Sequence, residues 1–435
     1  MTAVQDLRDN VAALDAASSA AIAASTGAAG APDDAPDEVR ASLLRLAERF
    51  DPNAAGGLDA SYVIAVEGRG ATTFHVRGRR CLLAAGAVER PAARFEADAT
   101  TWLDLVDGRA DGIAAFLAGR LRIVGDLNLA ARFETLFRPV PGARRVLRTE
   151  HTDVKGVRIE SMVAGTGVPV VLIHGLGASK VSFFPTLDGL ADRFEVHAID
   201  LPGFGRSAKP LPTGRRYSMP WFADVINGYL RERGLRDSHL VGNSMGGRIS
   251  VEVALRHPRS IGSVVTLGSA VAFDEYQVFG PLLRLGQPHW VGAAPLPIPT
   301  QRLERIVRGI VEDLFHDPST VPPDNHRAAA AEAVAALGDR GYRLALLACA
   351  RRLGAERAKG RQAYWGRLTK LQVPSFWIFG SSDPLVAPRY AKQVAAAVPA
   401  AQVEVWDAIG HVPQFEAPER TNQAIAGWIA GVETG

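Results

Sequence analysis

Five consecutive residues, Gly242-Asn243-Ser244-Met245-Gly246, set a serine hydroxyl between two glycines, after an apolar run ending at Leu240-Val241 and before a helix-forming segment. The pattern predicts a strand, a tight turn and a helix, because glycines allow unusual dihedrals and close backbone approach while the serine projects from the turn. A serine hydroxyl is a poor nucleophile at neutral pH. It needs an imidazole to take its proton and a carboxylate to fix the tautomer of that imidazole. Asp383, in Phe379-Gly380-Ser381-Ser382-Asp383-Pro384, and His411, in Ala408-Ile409-Gly410-His411-Val412-Pro413, each follow a predicted strand. Singly, an Asp before Pro reads as a turn residue and a His after a strand as a satisfied surface or core residue. As an ordered set on three strand ends they read as nucleophile Ser244, acid Asp383 and base His411. The N–H of Met245 opens a helix, where developing negative charge is stabilised, and the turn His174-Gly175-Leu176-Gly177 can present the N–H of Leu176 as a second oxyanion donor. His174 is expected to orient that turn, since His411 already fills the base role.

The elements around these residues divide the chain. Residues 1–38 are rich in Ala, Ser and Asp and read as a disordered tail. Residues 39–138 combine a helix from Val39 to Phe50, short strand-like runs ended by glycines, helices near Trp102, Ile113 and Leu127–Phe137, and a strand at Leu121–Gly125. Strands with helices beside them indicate a small α+β unit. A Pro/Gly/Arg-rich linker covers 139–149. From 150 to 433, continuous apolar strands alternate with helices, the signature of a mostly parallel sheet covered on both faces. Two short strands are expected near Val157 and Met162, and Gly165-Thr166-Gly167 reads as a hairpin turn. The alternation breaks over 271–367, where Ala- and Arg-rich helices suggest a cap.

Composition excludes several classes. Of 435 residues, 49 are Lys or Arg and 46 are Asp or Glu, a net charge of +3 that lacks the basic footprint of a dedicated nucleic-acid binder. Two cysteines far apart, Cys81 and Cys349, argue against a disulfide framework or a cysteine metal site. No run approaches the ~18 apolar residues of a membrane span, and the acidic N-terminal segment is unlike a signal peptide, so the chain reads as soluble and cytoplasmic. His289, His316 and His326 lack ligand spacing and read as surface or loop residues. Arg351, Arg352, Arg357 and Arg361 read as a solvated helix face, with guidance of an anionic substrate or transient contact with an acidic membrane as the alternative.

Residues 150–433 resemble the α/β-hydrolase fold in the segments HGLGAS, AIDLPGFGRSAKP, LVGNSMGGRISVEVALRHP, FGSSDPLVAP and IGHVPQFEAPE. The resemblance implies the same roles for Ser244, Asp383, His411, Leu176 and Met245, and Asp200 reads as a loop-structuring residue. Serine at 244 argues against branches that use a carboxylate nucleophile. The GNSMGG form also resembles hydrolases that cleave carbon–carbon bonds in ring-opened aromatic products. That reading ranks second, because the usual glycine-richer turn is HGLG here and Val412 follows the histidine. The stretch from Ala97 to Phe137 is similar to the sterol-carrier-protein-2-like lipid-transfer domain, which implies an apolar site for fatty acyl or sterol-like ligands. Together these imply a serine hydrolase of a hydrophobic ester with an attached lipid-binding domain and no cofactor, an acyltransferase being a further alternative.

Overall fold

The computed structural model describes residues 38–271, 299–354 and 363–434, and the chain divides between Val146 and Leu147 into two units. His289, Arg357 and Arg361, and the tail up to residue 37, lie outside the described residues.

In the first unit, strands β1 (Asp59–Val66), β2 (Gly70–Arg77), β3 (Arg80–Ala85), β4 (Ala93–Ala97) and β5 (Arg122–Gly125) form one sheet in the order β3-β2-β1-β4-β5. All pairs are antiparallel except β1 with β4. Three helices start on aspartate caps: Asp98, Asp111 and Asp126 accept from the N–H of Thr101, Ala114 and Leu129 at 2.9–3.0 Å. Each carboxylate satisfies a donor that the first helical turn leaves free. The helix Leu127–Glu134 lays Phe133 into the core, where its ring centroid stands 4.8 Å from Tyr62, 5.1 Å from Phe95, 5.6 Å from Phe74 and 4.9 Å from Phe137.

The second unit is built on an eight-stranded sheet. Its strands are β6 (Arg148–Val154), β7 (Val157–Ala164), β8 (Pro169–Ile173), β9 (Glu195–Ile199), β10 (Ser238–Asn243), β11 (Ile261–Leu267), β12 (Ser375–Gly380) and β13 (Gln402–Trp406), in the order β13-β12-β11-β10-β8-β9-β7-β6. The six strands from β13 to β9 are parallel; β7 and β6 are antiparallel additions. The inner strands β10 and β12 are buried along their whole length, which is why they read as unbroken apolar runs.

Two expectations need correction here. The first hairpin turn is Lys155-Gly156, both at positive φ, so β6 begins at Arg148, inside the expected linker, and β7 runs unbroken past both Val157 and Met162. That two-residue turn has the twist that antiparallel strands prefer. Gly165-Thr166-Gly167 is not a hairpin, because β9 lies between β7 and β8 in the sheet. A Cβ at Gly165 would collide with the carbonyls of Ala191 and Phe194, so the glycine serves a close crossing. The segment after β11 carries the helices Thr300–Glu312, Pro323–Gly338, Arg340–Gly354 and Tyr364–Leu368 before the sheet resumes at β12.

Candidate active site

In a parallel sheet, the loops after the strands all open at one edge. Ser244 follows β10, His174 follows β8, and Asp383 and His411 follow β12 and β13, so the topology gathers the four residues at that edge.

Ser244 has φ 55° and ψ −119°, a conformation L side chains rarely adopt. Such a residue costs on the order of 1–3 kcal/mol and persists only where its surroundings enforce it. Here Ser244 N–H donates to Leu267 O at 3.0 Å, and its carbonyl accepts from Ala270 N at 3.0 Å and Arg248 N at 3.1 Å. The flanking glycines are sterically required. A Cβ on Gly246 would run into the carbonyl of Ile173, and one on Gly242 into the backbone of Gly246. Ser244 is partly exposed and opens the helix Met245–Arg256.

His411 and Asp383 are both buried, at 3% and 7% exposure. His411 Nδ1 lies 2.8 Å from Asp383 Oδ2, while Asp383 Oδ1 accepts the N–H groups of Leu385 and Val386 at 2.8 Å each. The carboxylate is thereby held from both oxygens. With Nδ1–H donating to Asp383, Nε2 is the basic nitrogen.

The His174 turn stands against the serine: a Cβ on Gly175 would lie 3.2 Å from Ser244 Cβ. His174 Nε2 accepts from Leu201 N–H at 3.0 Å, so Nδ1 carries the proton and donates to Gly175 O at 2.7 Å. Burial keeps this imidazole below its ordinary pKa. A neutral ring with both nitrogens engaged orients a turn and is not a base. Among the described residues, neither Leu176 N nor Met245 N donates to a backbone carbonyl outside the regular elements.

Asp200 is wholly buried and structural. Its carboxylate accepts from Lys180 N and Lys180 Nζ at 2.7 Å each and from Arg206 N at 2.8 Å. Burial pushes the carboxyl up, but the Lys180 ammonium and the Arg206 N–H outweigh it and hold it below its usual range. His316 lies in a loop, whereas His326 is buried on its helix with Nε2 bonded to Pro318 O at 2.9 Å, so its surface reading is corrected. Arg351 and Arg352 are half-buried, and Arg352 donates to Gly214 O.

Three supporting residues went unread in the sequence. Asn243, inside the serine motif, donates Nδ2–H to Leu267 O at 2.9 Å and to His411 O at 3.0 Å, tying the serine turn to the histidine loop. Gly268 (φ +52°) presents bare backbone to the pair; a Cβ there would stand 3.0 Å from Asp383 Oδ2 and 3.1 Å from His411 Nδ1. Glu416 accepts from Gly410 N at 2.8 Å and His316 N at 2.7 Å, fastening the histidine loop.

The chain matches the alpha/beta hydrolase fold family over residues 168–418, more than half its length, and the SCP-2 sterol transfer family over residues 42–138. It is 35% identical over 131 residues to a pimeloyl-(acyl-carrier protein) methyl ester esterase of Aeromonas hydrophila, a match covering 30% of this chain and 45% of that one. The chain thus spans less than half the length of that relative. It is 26% identical over 276 residues to a 2-hydroxy-6-oxononadienedioate/2-hydroxy-6-oxononatrienedioate hydrolase of Paraburkholderia phymatum, covering 60% of this chain and 86% of that one. Its fold is similar to the crystal structure of a membrane phospholipase A, with TM-score 0.55 and 23% identity over 74% of this chain and 93% of that one. The chain therefore belongs to the alpha/beta hydrolase fold family of enzymes and carries an SCP-2 sterol transfer family domain ahead of its hydrolase domain.

Proposed function

We propose that this enzyme hydrolyses a hydrophobic carboxylic ester through Ser244, His411 and Asp383. The observation that carries the reading is the buried His411–Asp383 pair, bonded at 2.8 Å, on a loop that Asn243 ties to the glycine-flanked turn holding Ser244 at φ 55°. His411 Nε2 takes the Ser244 proton as Oγ bonds to the ester carbonyl carbon, and the carbonyl oxygen becomes an oxyanion facing the N–H groups of Leu176 and Met245. The C–O bond to the alcohol breaks, and the alcohol leaves with the proton from His411. Water then gives a proton to His411 and attacks the acyl-enzyme; Ser244 leaves, recovers that proton, and the acid departs. Asp383 keeps Nδ1 protonated and stabilises the imidazolium.

The attached SCP-2-family domain, of a family named for sterol transfer, supports an apolar acyl or sterol-like substrate. A series of p-nitrophenyl esters of rising chain length tests this. Turnover should rise with chain length, and Ser244→Ala should lower it by at least about 10⁴-fold. Unchanged activity in Ser244→Ala would refute the assignment. The second reading, hydrolysis of a carbon–carbon bond in a ring-opened dienoate, is favoured by the match that covers 86% of the dienedioate hydrolase. It predicts Ser244-dependent turnover of such a dienoate and none of esters.

A further inference from the structure

The turn that carries Leu176 is short of internal restraints. It is closed by a long backbone bond, Ala178 N–H to Gly175 O at 3.3 Å, and Gly177 sits at φ +79°. A glycine at that corner permits the adjoining peptides to flip at little cost. His174 ties the turn from the sheet side, through Gly175 O and Leu201 N.

The opposite side is tied by the helical insertion. Tyr342, on the helix Arg340–Gly354, donates its hydroxyl to Gly177 O at 2.7 Å. Ser179, two residues beyond the turn, donates Oγ–H to Glu332 Oε1 at 2.7 Å on the helix Pro323–Gly338. The Tyr342 ring is 4% exposed and packs edge-on against Phe204 at 5.6 Å; Phe204 in turn packs edge-on against His174 at 5.6 Å. The same insertion reaches the histidine loop, where His411 N–H donates to Leu314 O at 2.7 Å.

We propose that Tyr342 is a positioning residue for the oxyanion site. Its hydroxyl fixes the Gly177 carbonyl; the Ala178 N–H of the same planar peptide donates to Gly175 O, whose own peptide carries the Leu176 N–H, so the tie sets the aim of that donor and the site is complete only while the insertion is seated. The proposal rests on the serine-hydrolase reading and extends it. A tyrosine buried only for packing would give stability alone; one that aims an oxyanion donor acts where negative charge develops, beyond the ground state.

The test is Tyr342→Phe in the full chain, which removes one oxygen and keeps the ring. With a p-nitrophenyl ester, kcat should fall by about tenfold to a hundredfold while KM changes by less than about twofold. Affinity for an aryl trifluoromethyl ketone, which bonds to the serine and places an oxyanion at the same site, should fall by a similar factor. Hydrogen exchange of the segment 174–178 should accelerate. Ser179→Ala, which cuts the second tie, should move the same three readouts in the same direction. A wild-type chain that turns over through Ser244, with a Tyr342→Phe variant of unchanged kcat, ketone affinity and exchange, overturns the proposal alone. A wild-type chain without Ser244-dependent turnover overturns the hydrolase reading and the proposal together.

Discussion

Ser244, Asp383 and His411 are each held closely by their surroundings. The Asp383 carboxylate receives two backbone N–H groups on one oxygen and His411 on the other, so its direction is set before any substrate arrives. Gly268 leaves the space in which the pair meets. Gly268→Ala would place a methyl 3.0 Å from Asp383 Oδ2 and 3.1 Å from His411 Nδ1, at a positive φ that alanine tolerates poorly. A displacement of that size should cost about a hundredfold in kcat. Steady-state kinetics on a p-nitrophenyl ester checks this, and wild-type kcat would show that the pair adapts. Ser244, Asp383, His411 and the His174 turn stand out in the sequence because each lies beside its own glycine or strand-end signal. Asn243, Gly268 and Glu416 were not. Their roles join segments far apart in the chain, as when Asn243 reaches His411 O across 168 positions, and nothing local marks them.

At the scale of elements, inner parallel strands such as β12 were readable as unbroken apolar runs, and aspartate caps begin three helices of the first unit. The crossing at Gly165 was not readable. A glycine pair between two strands fits either a hairpin or a passage to a more distant strand, and only the insertion of β9 decides. The first unit depends on one side chain more than its sequence suggests. Phe133 touches four aromatic rings between the sheet and the helix Leu127–Glu134. Phe133→Ala should cost about 3–5 kcal/mol by lost burial and the cavity left behind. Chemical denaturation of the full chain, followed by hydrogen exchange in residues 59–134, checks this, and a loss below about 1 kcal/mol would mean the other rings close the gap.

At the scale of the whole molecule, three histidines, His174, His197 and His239, are fully buried. Burial lowers the pKa of each, against the opposing pull of Asp200, Glu195 and Glu433. The folded chain therefore keeps them neutral while the unfolded chain takes up protons near an ordinary pKa of about 6.5. The stability tied to this difference is fully present above that value and is lost as the pH falls below it. The melting temperature should drop between about pH 7.5 and pH 5, and His239→Gln should reduce the drop. A melting temperature that holds or rises in acid would contradict the sign. Among the described residues, no helix is long and apolar enough to cross a membrane. The central claim, an activated Ser244, is tested most directly by mass spectrometry of the full chain after treatment with a fluorophosphonate, which reports the nucleophile without knowledge of the substrate. One adduct is expected, on the peptide carrying Ser244, absent in Ser244→Ala and strongly slowed in His411→Ala. An unlabelled wild-type chain, or equal labelling of Ser244→Ala, would contradict it.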